Sequence, residues 1–418
     1  MQRFVSYVVM LFACVYACVA VAQKQTPEMR QSALYDQAMD LYVKEKYAAA
    51  QHLFDRIEAS DDAEYYAAVC AVKLNNDDAV ARLDDFLGSH ASSAHCNMAR
   101  FYMGNFYYSR NKYDKALAQY KKVKPNELEY GTRGEYNFRM GYCYLLDDKK
   151  KDAESCFKQE MGGKSRYSTA SLYYYAHLKY DDGAYDIALK HFEKLKEEKN
   201  FAHLVPNYII RIYYYTGRHE EVLAMAPAML DNPDTYKAYE IAQMVADIYF
   251  GQGAYSDALK YYRKAAAGLS ADDSDKALAS TVAPSRQACT PQDNFYPMGY
   301  SYYKLGQLDS AAFYLQKKTA CDDSVAQNAL YTLGDIYLKQ QRKDEARSMF
   351  LQSSKMDYNK SIQEEALFCY AKLSCELNKN PYNESIHSFQ DYLKRYPATK
   401  HRVEVQEIIA SLYLTTNN

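Results

Sequence analysis

Ten times along this chain one register recurs, in eight of them as a small residue followed twelve positions later by a second one, and no other feature restricts the fold as much. The first positions are Ala38, Ala67, Gly104, Gly141, Ala176, Ile210, Ala246, Gly299, Gly334 and Ala371. The second are Ala50, Ala79, Ala116, Ala153, Ala188, Val222, Ala258, Ala311, Ala346 and Ser385. Only Ile210, Val222 and Ser385 are neither Gly nor Ala, and only the last pair departs from the twelve-residue interval. Within each half the apolar positions recur at i, i+3, i+4 and i+7, the period of a helix rather than of a strand. Two small residues so spaced stand opposite each other on an antiparallel helix pair and let the backbones approach closely. Aromatics about four residues away then fill the gap between that pair and the next. The clearest copy is Met103-Gly104-Asn105-Phe106-Tyr107-Tyr108, followed by Tyr113-Asp114-Lys115-Ala116 and Tyr120. Leu333-Gly334-Asp335-Ile336-Tyr337 with Ala346 and Phe350 is another.

This period changes what length implies. A chain of 418 residues would ordinarily divide into two or three cores, because single cores stop growing near ~250–300 residues. A solenoid escapes that limit, since each repeat packs only on its neighbours. Gly at 15 and Pro at 10 are too few for a collagen-like or low-complexity chain. The 45 tyrosines and absent tryptophan suggest one structural position filled again and again. A net charge of −2 supplies no basic stripe, which argues against a nucleic-acid partner.

At these residues the chain resembles the tetratricopeptide repeat family, over about residues 31–418. The resemblance implies an all-α, right-handed superhelical solenoid of about ten antiparallel helix pairs. Copies one to seven are expected in 23–267, an insertion or linker in 268–291, and copies eight to ten plus an incomplete repeat in 292–418. Copy six departs from the pattern at Ile210 and Val222 and carries Pro227 inside its second helix. Copy ten has a longer inter-helix turn, Lys379 to Pro381. His401 to Leu414 matches a first helix with Ala410 and Tyr413 in register, and no second helix follows. Val405, Ile408, Ile409 and Leu412 make it apolar for a cap, which favours a fragment of a longer array and leaves self-association through this helix as a further expectation.

The N-terminus reads differently. A single Arg3 precedes an apolar run from Phe4 to Ala22 ending Ala20-Val21-Ala22, the pattern of a cleaved leader covering 1–22. A membrane anchor is the alternative by length, and a lipoprotein through Cys14 or Cys18 is another. Each makes the chain exported, in a periplasmic or outer-membrane-associated cell envelope. Export permits disulfides, and Cys143–Cys156 and Cys289–Cys321 are the pairings considered. Against them, most of the eight remaining cysteines lie in helical patterns, where the expected role is free core cysteine.

No catalytic, cofactor or metal motif emerges. Gly251-Gln252-Gly253 lacks the third glycine of a dinucleotide-binding loop and falls in a repeat turn. His90 and His95 could be metal ligands, but they flank a Ser-rich linker and no carboxylate partner is expected for them, so solvated surface histidines are the expectation. The expectation is a non-enzymatic protein.

The family resemblance implies a concave face built by first helices, presenting positions three before, one after and four after the first small residue. On this chain those are Phe101, Asn105 and Tyr108; Phe138, Tyr142 and Leu145; Tyr173, His177 and Tyr180; Asn207, Arg211 and Tyr214. Gln243, Asp247 and Phe250; Tyr296, Tyr300 and Tyr303; and Tyr331, Asp335 and Leu338 continue the row. Some family members clamp a C-terminal carboxylate with Lys and Asn there, but the residues here are mostly aromatic and do not imply that clamp. A face rich in tyrosine suits an extended protein segment, since Tyr offers contact area and a hydroxyl at low entropic cost. A glycan- or peptidoglycan-binding module is the alternative, and plain packing between helices is the competing role for each tyrosine.

Overall fold

The computed structural model describes residues 27–128, 130–272, 294–377 and 382–416. They fall into two compact units, one reaching Val205 and the other starting at Pro206. Among the described residues there are 21 α-helices, one 3-10 turn at Pro125–Glu127, and no strand. The first unit holds five pairs: Pro27–Val43 with Tyr47–Phe54, Asp61–Lys73 with Ala79–Ser89, Cys96–Ser109 with Tyr113–Tyr120, Tyr130–Leu146 with Lys150–Glu160, and Ser168–Asp181 with Tyr185–Leu195. Val205–Tyr215 pairs with His219–Asp231 and opens the second unit. Ala238–Gly251 with Tyr255–Asp272, Phe295–Lys304 with Leu308–Gln316, Ser324–Lys339 with Lys343–Lys355, and Lys360–Glu376 with Tyr382–Arg395 follow, and Arg402–Thr416 stands last. The chain is an all-α solenoid of helix pairs. The leader, Cys14, Cys18, Cys289, the Lys379–Pro381 turn and most of the 268–291 insertion lie outside the described residues, though 268–272 are helical.

Every one of the twenty small-position residues is buried, Ile210, Val222 and Ser385 among them. What covers the first of each pair is a large residue sixteen positions later, on the second helix. A Cβ built on Gly104 would lie 2.5 Å from Cε1 of Tyr120, and one on Gly334 would lie 2.6 Å from Cε1 of Phe350. Gly141 faces Phe157 at 2.9 Å and Gly299 faces Leu315 at 2.7 Å in the same sense. Phe54, Leu83, Phe192, Tyr262 and Phe389 hold the corresponding places and are all buried. Each pair is therefore a large side chain seated on the bare backbone of its partner helix. Copy six reverses the arrangement: the first helix carries the large Ile210 and the second carries Ala226, both buried in one cluster. The volume is kept and only its owner changes, which is the kind of swap cores tolerate best.

The turns inside the pairs are equally regular. One residue with left-handed φ follows the first small residue by seven positions at Glu45, Asn111, Asp148, Gly183, Gly217, Gly253, Gly306 and Gln341, and by eight at Asn75. Around Asn111 the N–H of Lys112 donates to the Tyr107 carbonyl (2.9 Å) and that of Asn111 to the Tyr108 carbonyl (3.0 Å). These two hydrogen bonds close the helix end and satisfy carbonyls that would otherwise lack partners. Between copies, buried amides do the same work. Asn97 donates from Nδ2 to the Lys124 carbonyl (2.9 Å) and accepts from the Lys124 N–H (2.8 Å). Gln327, at the equivalent place in copy nine, donates to the Met356 carbonyl (2.8 Å) and accepts from the Asn359 N–H (2.7 Å).

Two expectations need correction. His90 and His95 do have carboxylates: His90 Nε2 is 2.8 Å from Glu64 and His95 Nε2 is 2.6 Å from Asp62. His95 also stacks on Tyr65 with ring centres 4.2 Å apart. The partners sit in the first turn of Asp61–Lys73, far away in sequence, so these histidines pin the linker instead of standing free in solvent. Cys321 is disulfide-bonded, and its candidate partner Cys289 lies outside the described residues. Cys70, Cys96, Cys143, Cys156, Cys369 and Cys375 are free thiols. Burial pushes Cys70 and Cys143 up to about 12, and Cys156 and Cys369 up to about 11, so they stay protonated and behave as small apolar side chains.

Two expected outcomes follow from the seat at the small residue. Gly104→Ala and Gly334→Ala should each lower stability by about 1–3 kcal/mol, because Tyr120 and Phe350 are buried and cannot yield. Gly88→Ala, at an exposed helical position where a Cβ meets nothing within 4 Å, should change stability little or raise it by up to ~1 kcal/mol. Urea midpoints compare the three. In copy six, Ile210→Ala should cost about 2–4 kcal/mol and Ala226→Leu about 1–3 kcal/mol. The double variant should recover at least ~1 kcal/mol of the summed loss, whereas strict additivity would show that the two side chains share no space.

Candidate protein-interaction surface

The surface starts from residues one position beyond each first small residue, which the helical period turns away from the seat. In the first unit Asn105 accepts the Tyr120 hydroxyl on Oδ1 (2.7 Å) and donates from Nδ2 to Glu135 of the next copy (3.2 Å). Glu135 pairs with Arg139 at 2.8 Å. The Arg139 guanidinium sits 4.9 Å from the centre of the Tyr108 ring, a cation–π contact. Tyr142 is the hub of the aromatic part: its ring centre lies 5.7 to 6.4 Å from those of Tyr108, Tyr113, Phe138 and Tyr174. Tyr173 stacks on Phe201 at 4.9 Å, and Tyr180 meets Tyr185 at 5.8 Å. His177 Nδ1 lies 3.6 Å from Asp181.

The second unit repeats the scheme. Tyr296, Tyr300 and Tyr303 form a run with neighbouring ring centres 5.9 Å apart, and Phe250 meets Tyr300 at 5.9 Å. Burial pushes the Tyr296 and Tyr331 hydroxyls up to about 12, so they remain donors at neutral pH. Tyr303 donates to Asp335 Oδ2 (2.6 Å) of the following copy, and Tyr214 donates to Asp247 Oδ2 (3.3 Å). Arg211 pairs with Glu240, as Lys372 pairs with Glu404 at 2.6 Å.

Two rules connect copies. The residue four after one small position reaches the residue one after the next: Tyr108 to Tyr142, Tyr214 to Asp247, Phe250 to Tyr300, Tyr303 to Asp335. The residue one after a small position also reaches an acid six before the next, in Asn105–Glu135, Arg211–Glu240 and Lys372–Glu404. The acids, Arg139 and Lys339 were not anticipated from sequence, although Glu135, Glu240, Glu365 and Glu404 share one register position and a register-aware reading would have found them. Asn105, Tyr108, Phe138, Tyr142, Tyr173, His177, Tyr180, Tyr296, Tyr300 and Tyr303 are all partly exposed. Phe101 is not: it is 1% exposed, turned toward Tyr120, and belongs to the core. Asn207 is buried as well. Among the described residues no group of His, Cys, Asp and Glu could hold a metal ion, and no helix is long and apolar enough to cross a membrane.

Residues 71–126 and 296–355 match the tetratricopeptide repeat family model. Over these two stretches the chain carries tetratricopeptide repeats. The matched stretches cover the copies around Gly104, Gly299 and Gly334, where the small residues and their seated partners are most regular. A tetratricopeptide repeat protein from Parabacteroides merdae is 15% identical, over 66% of this chain and 98% of its own, with a TM-score of 0.37. MamA of AMB-1 is 21% identical over 41% and 93%, at 0.35. The APC/C hetero-tetramer Cut9–Hcn1 is 14% identical over 93% and 90%, at 0.27. No curated protein matches the sequence. The repeats at 71–126 and 296–355 point, in general terms, to a protein-interaction scaffold.

Proposed function

We propose that this chain is a non-enzymatic scaffold of the bacterial cell envelope that binds extended segments of partner proteins along its first-helix faces. One observation carries the reading: within each unit, partly exposed aromatic and polar residues recur at fixed register positions and join copy to copy. Tyrosine at such positions combines apolar contact with a hydroxyl at small entropic cost. The ring faces favour protein over glycan, since Tyr142 already has rings on several sides and offers little free face for stacking a sugar. An array of extended peptides probed with the purified chain tests this. Tyr300→Ala and Tyr142→Ala should each weaken peptide capture about 30-fold, equivalent to ~2 kcal/mol at an interface centre. Capture unchanged in variants that merely melt earlier would assign both tyrosines to packing. Sugars captured in place of peptides, with affinity kept in Tyr300→Phe, would assign the face to glycans.

Export belongs to the same proposal and rests on Ala20-Val21-Ala22 after the apolar run. The mature chain is expected to begin at Gln23 when expressed with an export pathway. Intact mass reads this directly, and a mass carrying diacylglycerol on Cys14 or Cys18 would replace it with a lipoprotein.

A further inference from the structure

Two copies of the second unit place an aspartate at the same register position, and the chain completes only one of them. In copy nine Asp335 accepts the Tyr303 hydroxyl (2.6 Å) and pairs with Lys339 Nζ at 2.8 Å. That ammonium also donates to the Tyr303 hydroxyl (3.0 Å) and lies 4.4 Å from the centre of its ring. The aspartate, the tyrosine of the preceding copy and the lysine four residues on thus form a closed set. In copy seven Asp247 accepts the Tyr214 hydroxyl (3.3 Å) from the preceding copy in the same way, and adds Tyr262 (2.7 Å) and Gln243 (3.0 Å). Where copy nine has Lys339, copy seven has Gly251, and a Cβ built there meets nothing within 4 Å. Asp247 has no ion-pair partner among the described residues, and beside it opens a pocket of about 550 Å³ lined by Tyr214, Tyr215, His219, Asp247, Gly251 and Gln252.

We propose that this pocket is a cation subsite, which takes a lysine or arginine side chain of the bound protein segment in the place that Lys339 fills in copy nine. The subsite deepens the scaffold reading and rests on it for the source of the cation. Its chemistry is that of the intact set: a carboxylate for the charge, and the Tyr214 hydroxyl and ring for orientation. Burial pushes the Asp247 carboxyl above its ordinary range, as expected for an anion with hydrogen-bond donors but no counter-charge. A partner's ammonium or guanidinium would supply that charge without the chain having to order a side chain of its own.

The test uses the full chain and two probes, Nα-acetyl-lysine methylamide and its neutral counterpart Nα-acetyl-norleucine methylamide, followed by saturation-transfer NMR. The lysine probe should bind saturably and the norleucine probe at least tenfold more weakly. Asp247→Asn should lose at least tenfold for lysine. Gly251→Lys should block the pocket with the chain's own ammonium, with helicity by circular dichroism at the parent value in both variants. Equal binding of the two probes, no saturable binding of either, or lysine binding kept in Asp247→Asn would each overturn the subsite. The outcomes separate it from the scaffold reading. A chain that captures extended peptides through Tyr300 but ignores the lysine probe keeps the scaffold and loses the subsite. A chain that binds the lysine probe but no peptide does the reverse.

Discussion

A large side chain of one helix lying on the bare backbone of its partner is the contact from which the rest of this molecule is built. Gly104 under Tyr120 and Gly334 under Phe350 leave no room for even a methyl group, so the two helices can approach only where the side chain is missing. That seat fixes which face of each helix turns inward. The left-handed residue that follows, Asn111 or Gln341, fixes where the first helix stops and how soon the second begins. Repeating one local solution adds buried surface in proportion to length, and a 418-residue chain needs no large single core. Copy six shows that the requirement is a volume and not a residue type, because Ile210 and Ala226 exchange the large and small roles.

Once the seats are set, the remaining first-helix positions serve two purposes that compete for the same atoms. The residue one beyond each small position joins copies through Asn105–Glu135, Arg211–Glu240 and Lys372–Glu404, yet it also stands on the face proposed to meet a partner. Tyr142 illustrates the compromise. Its contacts with rings on four helices, its own included, brace the surface, which would limit the entropy lost on association, but leave less of it for a ligand. Asp247 illustrates the opposite choice, where the chain leaves out the lysine that Asp335 has. Variation among copies is therefore where specificity can arise, against a background of repeated packing that must not vary.

The register was legible in the sequence because the constraint behind it is local and recurs at a fixed interval. A small residue, a turn and another small residue lie within one helix pair, so periodicity alone located all ten seats, copy six included. The surface was legible only in outline. Nineteen of the twenty-one face residues singled out are partly exposed, but Asn207 is buried, and Phe101 is core because it turns toward Tyr120, a matter of how copy three packs and not of its position in the repeat. The carboxylates that hold His90 and His95 are those of Glu64 and Asp62, 26 and 33 residues earlier, and no spacing within the linker announces them.

By itself, then, the sequence determined that the chain is helical, how its helices pair, and which backbones must touch, since those depend on residues no more than about sixteen positions apart. Only the tertiary structure decided which tyrosine hydroxyls are engaged between copies, which charges pair between copies, and that a pocket opens beside Asp247. The reason is geometric. Those outcomes depend on side chains some thirty residues apart that meet across neighbouring copies, and their meeting follows from how one pair lies on the next.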